Sequence, residues 1–587
     1  MLTKSKFDIL YQVITQNKKL SQREISKRTS MALGKVNRLV KELINDGLLN
    51  EKYEITQSGY KAMEPYKVKN AIIMAAGMSS RFAPLSYEKP KALIKVKGVP
   101  LIERQISQLQ EAGIADITLV VGYMKEKLFY LEDKFGVKIV VNEDYYRYNN
   151  TSTLMLVTDL LDNTYICSSD NYFTENPFEP YVYQAYYAAM YSPGPTNEYC
   201  LTCNKDGRIT KVEIGGSAAW YMIGHVYFDR EFSRKFAQIL KREYELPETR
   251  NMLWEDVYAK YVDELDMYIR KYGDTIKEFD SLDELRVFDS DYIDNIDSDI
   301  FKNICTVLNC ENRGITNIVP VKSGITNLSF RFDCKGQQYL YRHPGVGTEE
   351  YIDRKTEAEA LQIAKELGLD GEFIYMDAGK GWKLSKYIPD AKKLDYHNPD
   401  EVKEALKMLR RLHDSNAAVE KKFDIWQKIL EYSEKIKDSG RGDFADMAEL
   451  KAQMEQLYNL LRLGEGKVSL CHGDSYDGNF LIDKNKKMYL IDWEYSGMGD
   501  PAFDIGTFIV CSDYSMKEAE EIIGIYLGHQ PSADEKRRFF GFTALSAYFW
   551  FLWGLYQETL SKRIGTSLYT WYNYAKRFYK ATIALYQ

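Results

Sequence analysis

The sequence is poor in cysteine and histidine. Its 587 residues include 8 Cys and 6 His, which excludes a disulfide-stapled scaffold and a histidine-rich metal protein. Cys200 and Cys203 form a C-x-x-C pair, but no second pair and no nearby histidine completes a zinc ligand set, so we interpret them as strand residues. The few cysteines and the lack of an apolar signal core near the N-terminus predict a cytoplasmic protein.

Long uncharged runs and an excess of one charge are also scarce. The segment 539–557 has no charged residue and approaches the roughly 18 residues that span a membrane. It contains glycine and hydroxyl side chains, so we expect a buried helix and no membrane insertion. The 78 basic and 85 acidic residues give a net charge of −7, which excludes a polyanion binder for the chain as a whole.

The first 66 residues differ from the rest, because twelve basic and seven acidic side chains give them a net charge of +5. Ser21 and Glu24 form a capping-box pattern that opens a second helix, and Gly47 ends a third helix before a short alternating segment. This order resembles a winged helix-turn-helix domain at residues 1–66. Its recognition helix would make DNA a candidate partner, with protein docking or oligomer formation as alternatives. The side chains for DNA contact are Lys35, Asn37, Arg38 and Lys41.

Strand and helix patterns alternate from Asn70 to about residue 290, which predicts an α/β domain at 69–290 with a mainly parallel sheet. The apolar run 71–75 leads into Gly77, and a K-P-K sequence ending at Lys91 follows. Small residues let backbone N–H groups approach a triphosphate, and basic side chains offset its charge. The candidate nucleotide-binding residues are Ala76, Gly77, Ser79, Ser80 and Arg81.

These motifs resemble the nucleotide-diphospho-sugar-pyrophosphorylase superfamily, and within it the bacterial choline-phosphate cytidylyltransferases. The resemblance implies a Rossmann-like fold, CTP as co-substrate and Lys91 as the catalytic lysine. It also implies two carboxylates that hold Mg²⁺, of which Asp170 follows an apolar strand. For the second we assign Glu255, with Asp256 as the alternative. Three residues are expected to form an aromatic and acidic cage for a quaternary ammonium: Tyr172, Trp220 and Glu278.

A second set of polar residues lies in the last third of the chain, within C-H-G-D-S-Y-D-G-N and a following L-I-D-W-E. Phosphoryl transfer needs an aspartate that orients the attacking hydroxyl, together with an amide oxygen and a carboxylate on Mg²⁺. Asp474, Asn479 and Asp492 have this order and spacing. We therefore predict Asp474 as the catalytic residue that orients the hydroxyl and the other two as metal ligands.

The segment 293–587 resembles the choline/ethanolamine kinase and aminoglycoside-phosphotransferase family, which implies a protein-kinase-like bilobal fold and ATP as co-substrate. Arg342 stands where protein kinases carry a lysine, and Glu357 or Glu359 would pair with it. Asp504, His472 and His413 are expected to be structural. The remaining implied nucleotide contacts are Ser323, Thr326 and Asn327, and the implied aromatic box for choline consists of Trp550, Trp553, Trp571 and Tyr574.

The expected fold class is therefore multidomain α/β and α+β: a winged helix, a Rossmann-like nucleotidyltransferase domain and a kinase-like domain. The resemblances imply a bifunctional enzyme that phosphorylates choline with ATP and then transfers cytidylyl from CTP to phosphocholine. One alternative keeps both folds but uses another amino alcohol or a sugar. A second alternative is a DNA-binding regulator whose enzyme-derived domains act as sensors.

Overall fold

The computed structural model describes residues 2–16, 20–294, 296–321, 327–345, 348, 352–461, 466–560 and 564–587. The chain forms two compact units, Met1–Phe301 and Lys302–Gln587. The predicted domain limits at residues 66–69 and 290–293 stay predictions.

Unit 1 begins with four helices that enclose a small apolar core. The predicted capping box is present, because the backbone N–H of Ser21 donates to the Glu24 carboxylate and the backbone N–H of Glu24 donates to the Ser21 hydroxyl. A β-bridge between Leu49 and Ile55 forms the wing. The helices are α1 (Lys4–Thr15), α2 (Gln22–Thr29), α3 (Leu33–Asn45) and α4 (Gln57–Met63).

These helices pack directly on the rest of unit 1. The Tyr66 ring stacks on Tyr183, with their centroids 5.4 Å apart, and the Phe7 ring lies 5.4 Å from the same tyrosine. The Tyr183 hydroxyl donates a hydrogen bond to the carbonyl of Leu2, and the backbone N–H of Val182 donates to Tyr66. The helices therefore share an apolar and hydrogen-bonded interface with the α/β part of unit 1.

The remainder of unit 1 is a twisted sheet with helices on both faces. Its strands are β1 (Asn70–Ala75), β2 (Lys95–Val96), β3 (Val99–Pro100), β4 (Ile117–Val121), β5 (Lys138–Val141), β6 (Thr164–Ser168), β7 (Asn171–Phe173), β8 (Tyr186–Cys203), β9 (Ile209–Phe228), β10 (Tyr268–Lys271) and β11 (Ile276–Glu278). Its helices are α5 (Leu85–Glu88), α6 (Leu101–Glu111), α7 (Tyr130–Phe135), α8 (Asn150–Met155), α9 (Arg230–Glu243), α10 (Trp254–Lys260) and α11 (Leu282–Phe288).

The seven-stranded sheet has the order β10-β8-β9-β6-β1-β4-β5. Strand β1 is parallel to both β4 and β6, and β9 is the antiparallel neighbour of β6. Residues Ala71, Ile72 and Ile73 are fully buried, as expected for a central strand covered on both faces. The carboxyl ends of β1 and β6 lie side by side, where sheets of this kind bind ligands.

Unit 2 has a sheet lobe and a helical lobe. The five-stranded antiparallel sheet has the order β12-β13-β14-β16-β15. The strands are β12 (Thr316–Val321), β13 (Asn327–Cys334), β14 (Gln337–Pro344), β15 (Phe373–Asp377), β16 (Trp382–Lys386), β17 (Lys392–Lys393), β18 (Ser469–Cys471), β19 (Phe480–Ile482), β20 (Met488–Leu490) and β21 (Gly497–Gly499). The helices are α12 (Asp299–Leu308), α13 (Arg354–Glu366), α14 (Pro399–His413), α15 (Ile425–Ile436), α16 (Met447–Leu460), α17 (Pro501–Val510), α18 (Met516–Leu527), α19 (Ala533–Thr559) and α20 (Ser567–Ala584).

The uncharged run lies in α19, which is long and apolar enough to cross a membrane by length and composition. Within the protein, 94% of its most apolar stretch is buried. Helix α17 approaches it closely, because a Cβ atom added at Gly506 would lie 3.0 Å from the Phe542 carbonyl oxygen. Helix α19 is therefore the central core helix of unit 2.

We predict that Leu552→Ala lowers the free energy of unfolding of unit 2 by about 2–5 kcal/mol, because Leu552 is fully buried and its loss leaves a cavity. Urea unfolding followed by tryptophan fluorescence measures this change. Leu560→Ala is the control, since Leu560 is 42% exposed and its loss is expected to cost less than about 1 kcal/mol. Equal effects of the two substitutions would contradict the core assignment.

Candidate active sites

The first cleft opens at the carboxyl ends of β1 and β6 and has a volume of about 380 Å³. Lys91 is buried at its wall, and its Nζ atom lies 2.9 Å from the Asp170 Oδ2 atom. Asp170 follows β6, so the parallel pairing of β6 with β1 brings it beside the loop that follows β1. A buried ammonium group next to a carboxylate can offset charge on a bound phosphate.

The glycine turn after β1 forms the opposite wall of this cleft, to which Ala76, Gly77 and Ser79 contribute. A Cβ atom added at Gly77 would meet no heavy atom within 4 Å, so this backbone is open to a ligand. Ser79 has a left-handed backbone with φ of 47°. Arg81 points to solvent with 78% exposure and forms an ion pair with Asp280 at 3.1 Å. The Ser80 side chain lies outside the described part of the chain.

A second acid near Asp170 is Glu278, whereas the assignment of Glu255 as a metal ligand stays a prediction. Strand β11 pairs with β7 so that Glu278 lies opposite Asn171, the residue after Asp170. Partial loss of hydration and the negative charge of Asp170 raise the pKa of Glu278 to about 7, and the charge of Lys91 opposes this shift. Glu278 is thus close to both Asp170 and Lys91.

Glu255 lies behind the cleft wall and contacts residues of the protein there. Its carboxylate accepts hydrogen bonds from the Asn150 amide at 3.2 Å and from the Tyr187 hydroxyl at 3.1 Å. Burial raises the pKa of Glu255 to about 7, against the effect of these bonds. The Oδ1 atom of the Asn150 side chain also accepts a hydrogen bond from the backbone N–H of Trp254 at 2.8 Å. Both the nitrogen and the oxygen of this cleft-lining amide are therefore held by hydrogen bonds. The alternative acid, Asp256, accepts from the Tyr199 hydroxyl at 2.7 Å.

The predicted ammonium cage of Tyr172, Trp220 and Glu278 stays a prediction. The Arg104 guanidinium lies 4.5 Å from the Tyr172 ring centre, and the Lys271 ammonium lies 4.8 Å from the Trp220 ring centre. Each of the two rings therefore already has a cation of the protein over one face. Three tyrosines that were not among the predicted site residues line the cleft: Tyr145, Tyr146 and Tyr148.

The second cleft contains the three residues of the phosphoryl-transfer motif. The Asn479 amide donates to an Asp474 carboxylate oxygen at 3.0 Å and to the Asp474 carbonyl at 2.8 Å. Burial and the negative charge of Asp492 raise the pKa of Asp474 well above its ordinary range. This interaction places both carboxylates in one site. Asp492 itself has a left-handed backbone with φ of 66°.

A buried carboxylate, Asp504, holds the loop that carries Asp474. It accepts hydrogen bonds from the backbone N–H groups of His472 and Gly473, at 2.7 and 2.8 Å, and its other contact is the His413 ring at 2.9 Å. The His472 ring bridges the Ile491 carbonyl and the backbone N–H of Asp474, and burial lowers its pKa to about 4. His472 is therefore neutral at pH 7 and organises the loop.

A largely buried network of five charged residues joins the sheet lobe to this cleft. Arg342 contacts Glu357 at 2.6 Å, Glu494 at 3.0 Å and Asp492 at 3.5 Å. Arg354, which sequence analysis missed, contacts Glu357 at 2.8 Å and Glu494 at 2.6 Å. The expected Arg342 pair thus forms with Glu357.

Asn327 connects the start of β13 to this charged network, because its amide donates to the Glu494 carboxylate at 2.7 Å. Sequence analysis did not assign Glu494 a role. The only signal was its position two residues after Asp492 in the same motif. Ser323 and Thr326 lie outside the described residues.

Three tryptophans line the same cavity as Asp474 and Asp492, which has a volume of about 460 Å³. The ring centres of Trp550 and Trp553 are 5.5 Å apart, and each lies 6.3 Å from that of Trp571. Tyr574 was predicted as the fourth member of this aromatic box, but it does not line the cavity. It is buried elsewhere, and its hydroxyl donates to the Tyr514 carbonyl at 2.7 Å. Tyr495, missed by sequence analysis, lies 5.9 Å from Trp550 on the cavity wall.

Both clefts fit Mg²⁺, because each presents hard oxygen ligands beside a phosphate-binding position. Asp170 and Glu278 would hold the ion in unit 1. Asn479 and Asp492 would hold it in unit 2, where the Asn479 nitrogen faces Asp474 and the amide oxygen remains for a cation. A bound Mg²⁺ supplies positive charge that offsets the charge of nucleotide phosphates.

Comparisons with known proteins follow this division. Residues 71–190 match the MobA-like NTP transferase domain, residues 318–541 match choline/ethanolamine kinase, and residues 2–50 match the winged helix-turn-helix DNA-binding family. With the two clefts, these matches define a nucleotidyltransferase fused to a small-molecule kinase.

Individual relatives give a narrower class. The choline-phosphate cytidylyltransferase of Streptococcus pneumoniae is 35% identical over 37% of this chain and 95% of that protein. The 2-aminoethylphosphonate cytidylyltransferase of Lancefieldella rimae is 35% identical over 38% and 93%. The solved choline kinase LicA of Streptococcus pneumoniae is 25% identical, covers 48% of this chain and 98% of that chain, and has a TM-score of 0.42. The chain belongs to the choline-phosphate cytidylyltransferase family and carries a choline/ethanolamine kinase domain.

We predict that Glu278→Gln raises the Mg²⁺ concentration for half-maximal cytidylyl transfer by about 10–100-fold, because a neutral amide is a weaker magnesium ligand. A magnesium titration of pyrophosphate release measures this concentration. Glu255→Gln is the matched control, since Glu255 contacts Asn150 and Tyr187, and its magnesium requirement is expected to change less than about threefold. The reverse order of effects would favour Glu255 as the metal ligand.

Proposed function

We propose that the chain carries out two consecutive reactions. Unit 2 converts choline and ATP to phosphocholine and ADP, and unit 1 converts phosphocholine and CTP to CDP-choline and pyrophosphate. The observation that carries this proposal is the cavity in which Asp474 and three tryptophans share one wall. A cation against the rings directs the hydroxyl of a short amino alcohol toward the aspartate.

Asp474 is the proton acceptor in the kinase step. Its raised pKa suits it to accept the proton of the choline hydroxyl as that oxygen attacks the γ-phosphorus of ATP. The bond from this phosphorus to the β-phosphate oxygen breaks, and ADP leaves. Arg342, held by Glu357 and Glu494, presents positive charge beside the same cleft.

Lys91 acts in the second step. A phosphate oxygen of phosphocholine attacks the α-phosphorus of CTP directly, and the bond to pyrophosphate breaks. Negative charge accumulates on the oxygens of the α-phosphorus during this attack, and a buried ammonium group stabilises it. The open turn at Gly77 provides backbone N–H groups for the departing phosphates.

We predict opposite losses for the two catalytic variants. Asp474→Ala is expected to lose CDP-choline formation from choline, ATP and CTP, and added phosphocholine restores it. Lys91→Ala is expected to accumulate phosphocholine and form no CDP-choline under either condition. Phosphorus NMR of the reaction mixture, with the purified full-length protein and Mg²⁺, distinguishes phosphocholine and CDP-choline from the nucleotides. Phosphorylation of choline by Asp474→Ala at the normal rate would refute the kinase assignment.

We predict that Trp553→Leu raises the KM for choline by about 5–30-fold, which corresponds to loss of one cation–π contact of about 1–2 kcal/mol. The KM for ethanolamine is expected to rise less, because its smaller, more hydrated ammonium gains less from the ring. Coupled ADP release measures both constants. Trp426→Leu is the matched control, since Trp426 stacks on Tyr458 outside this cavity. Equal rises for both alcohols would favour a different amino alcohol or a sugar as substrate.

A second function, DNA binding, is supported by helix α3. Val36, Leu39 and Val40 are buried on one face, and the predicted contact residues Lys35, Asn37, Arg38 and Lys41 are exposed on the other. We predict that Lys41→Ala lowers the salt dependence of binding to the gene's own promoter fragment by about one counterion. Gel shifts over a salt series measure it, with the exposed Lys138→Ala as control. No shift at low salt would leave protein docking.

A further inference from the structure

A second cavity of unit 1 lies between the N-terminal helices and the edge of the sheet. Its volume is about 340 Å³, close to the 380 Å³ of the cleft that contains Lys91. Helix α1 borders it on one side, and strand β10 with the segment 179–186 borders it on the other. Of the described residues that line this cavity, none lines either catalytic cleft. The cavity is therefore a separate place with room for a small molecule.

On the α1 side, the cavity wall already surrounds an ammonium group, that of Lys4. Its Nζ atom lies 5.2 Å from the Phe7 ring centre and 5.4 Å from the Tyr183 ring centre. The same atom lies 2.6 Å from a carboxylate oxygen of Asp8. Two aromatic rings and a carboxylate around one cation form the kind of site that recognises a quaternary ammonium. This position therefore suits the cationic group of a ligand.

The Lys4 side chain can leave this position, whereas the rings cannot. Lys4 is 57% exposed, while Phe7 is buried and Tyr183 stacks on Tyr66. A lysine ammonium is strongly hydrated when it turns into water. A trimethylammonium group is weakly hydrated and loses little water when it contacts rings. A ligand with such a group can thus replace the Lys4 ammonium without a change in the backbone.

On the sheet side, the cavity wall presents the guanidinium group of Arg270. Its Nη1 atom donates to the Glu179 carboxylate at 2.6 Å, and its guanidinium carbon lies 4.8 Å from the Tyr186 ring centre. Within the described part of the chain, its Nε and Nη2 atoms have no hydrogen-bond partner, and the side chain is 33% exposed. These two nitrogens share the edge of the guanidinium that binds two oxygens of a phosphate.

We propose that this cavity binds a small zwitterion in which a quaternary ammonium is joined to a phosphate, the chemistry of phosphocholine. The ammonium takes the place of the Lys4 Nζ atom between Phe7, Tyr183 and Asp8. The phosphate accepts hydrogen bonds from the Nε and Nη2 atoms of Arg270. The inference goes beyond the proposed function, because no bond is made or broken here, and its failure would leave both catalytic assignments unchanged.

A ligand at this place would contact both the N-terminal helices and the sheet. Helix α1 also contacts helix α3, because the Lys6 ammonium lies 2.8 Å from the Asp46 carboxylate and 3.3 Å from that of Glu42. Helix α3 carries the predicted DNA contacts. The ligand would thus bind next to the helix on which α3 packs, and not at a site of phosphorus chemistry.

The test is hydrogen–deuterium exchange of the full-length protein with phosphocholine and without nucleotide, read from peptides. We expect slower exchange in the peptides that cover α1 and β10, whatever happens at the cleft of Lys91. Choline alone and inorganic phosphate alone are expected to need at least about tenfold higher concentrations for the same protection, because each fills only one part of the cavity.

Two variants test the place of the ammonium. Lys4→Ala removes the competing ammonium and is expected to lower the phosphocholine concentration for half-maximal protection of α1 by about 3–10-fold. Asp8→Asn, added to Lys4→Ala, is expected to raise this concentration again by a similar factor, because the ligand loses its carboxylate partner. Lys52→Ala is the control, since it changes an exposed lysine outside the cavity and is expected to have no effect.

Three results would overturn the proposal. One is protection by phosphocholine that is confined to the peptides of the catalytic clefts. Another is a half-maximal concentration that stays the same or rises in Lys4→Ala. The third is protection of α1 by phosphatidylcholine vesicles but not by free phosphocholine, which would replace the soluble ligand by a lipid headgroup. Because the exchange map is made on the unmutated protein, it does not depend on the folding of any variant.

Discussion

Close carboxylates in an enclosed space are the constraint on which both clefts depend. Asp170 and Glu278 lie close together in unit 1, and Asp474 and Asp492 line one cavity of unit 2, so each site carries negative charge that its own protein only partly offsets. One buried basic residue lies beside each pair: Lys91 in unit 1 and Arg342 in unit 2. The remaining negative charge favours cations, and Mg²⁺ is the cation that suits phosphorus chemistry.

Such repulsion is tolerated because the surrounding backbone is rigid. In unit 2, Asp504 accepts two backbone N–H bonds from the loop of Asp474 and is fully buried at the start of α17. Helix α17 packs closely on α19, which also presents Trp550 and Trp553 to the cavity. The apolar core of the helical lobe therefore positions both Asp474 and the tryptophan rings that line its cavity.

Sequence reasoning succeeded where a site is local in the chain. Asp474 and Asn479 are five residues apart, so one loop brings them together, and their hydrogen bond follows from that loop. Distant pairing leaves no such signal: Glu278 reaches Asp170 because β11 pairs with β7, and no residue near either of them in the chain indicates this. The same holds for Trp220, since the cation over its ring comes from the separate strand β10. Motif spacing carries no information about such neighbours.

The stack of Tyr66 and Tyr183 has a consequence for how this protein can change over evolution. A chain cut between the N-terminal helices and the sheet would leave Tyr183 and its apolar neighbours in water, and a soluble catalytic fragment would need new polar residues there. Gene rearrangements that exchange the helices would face the same penalty. The N-terminal helices therefore cover an apolar surface that a nucleotidyltransferase without them has to make polar.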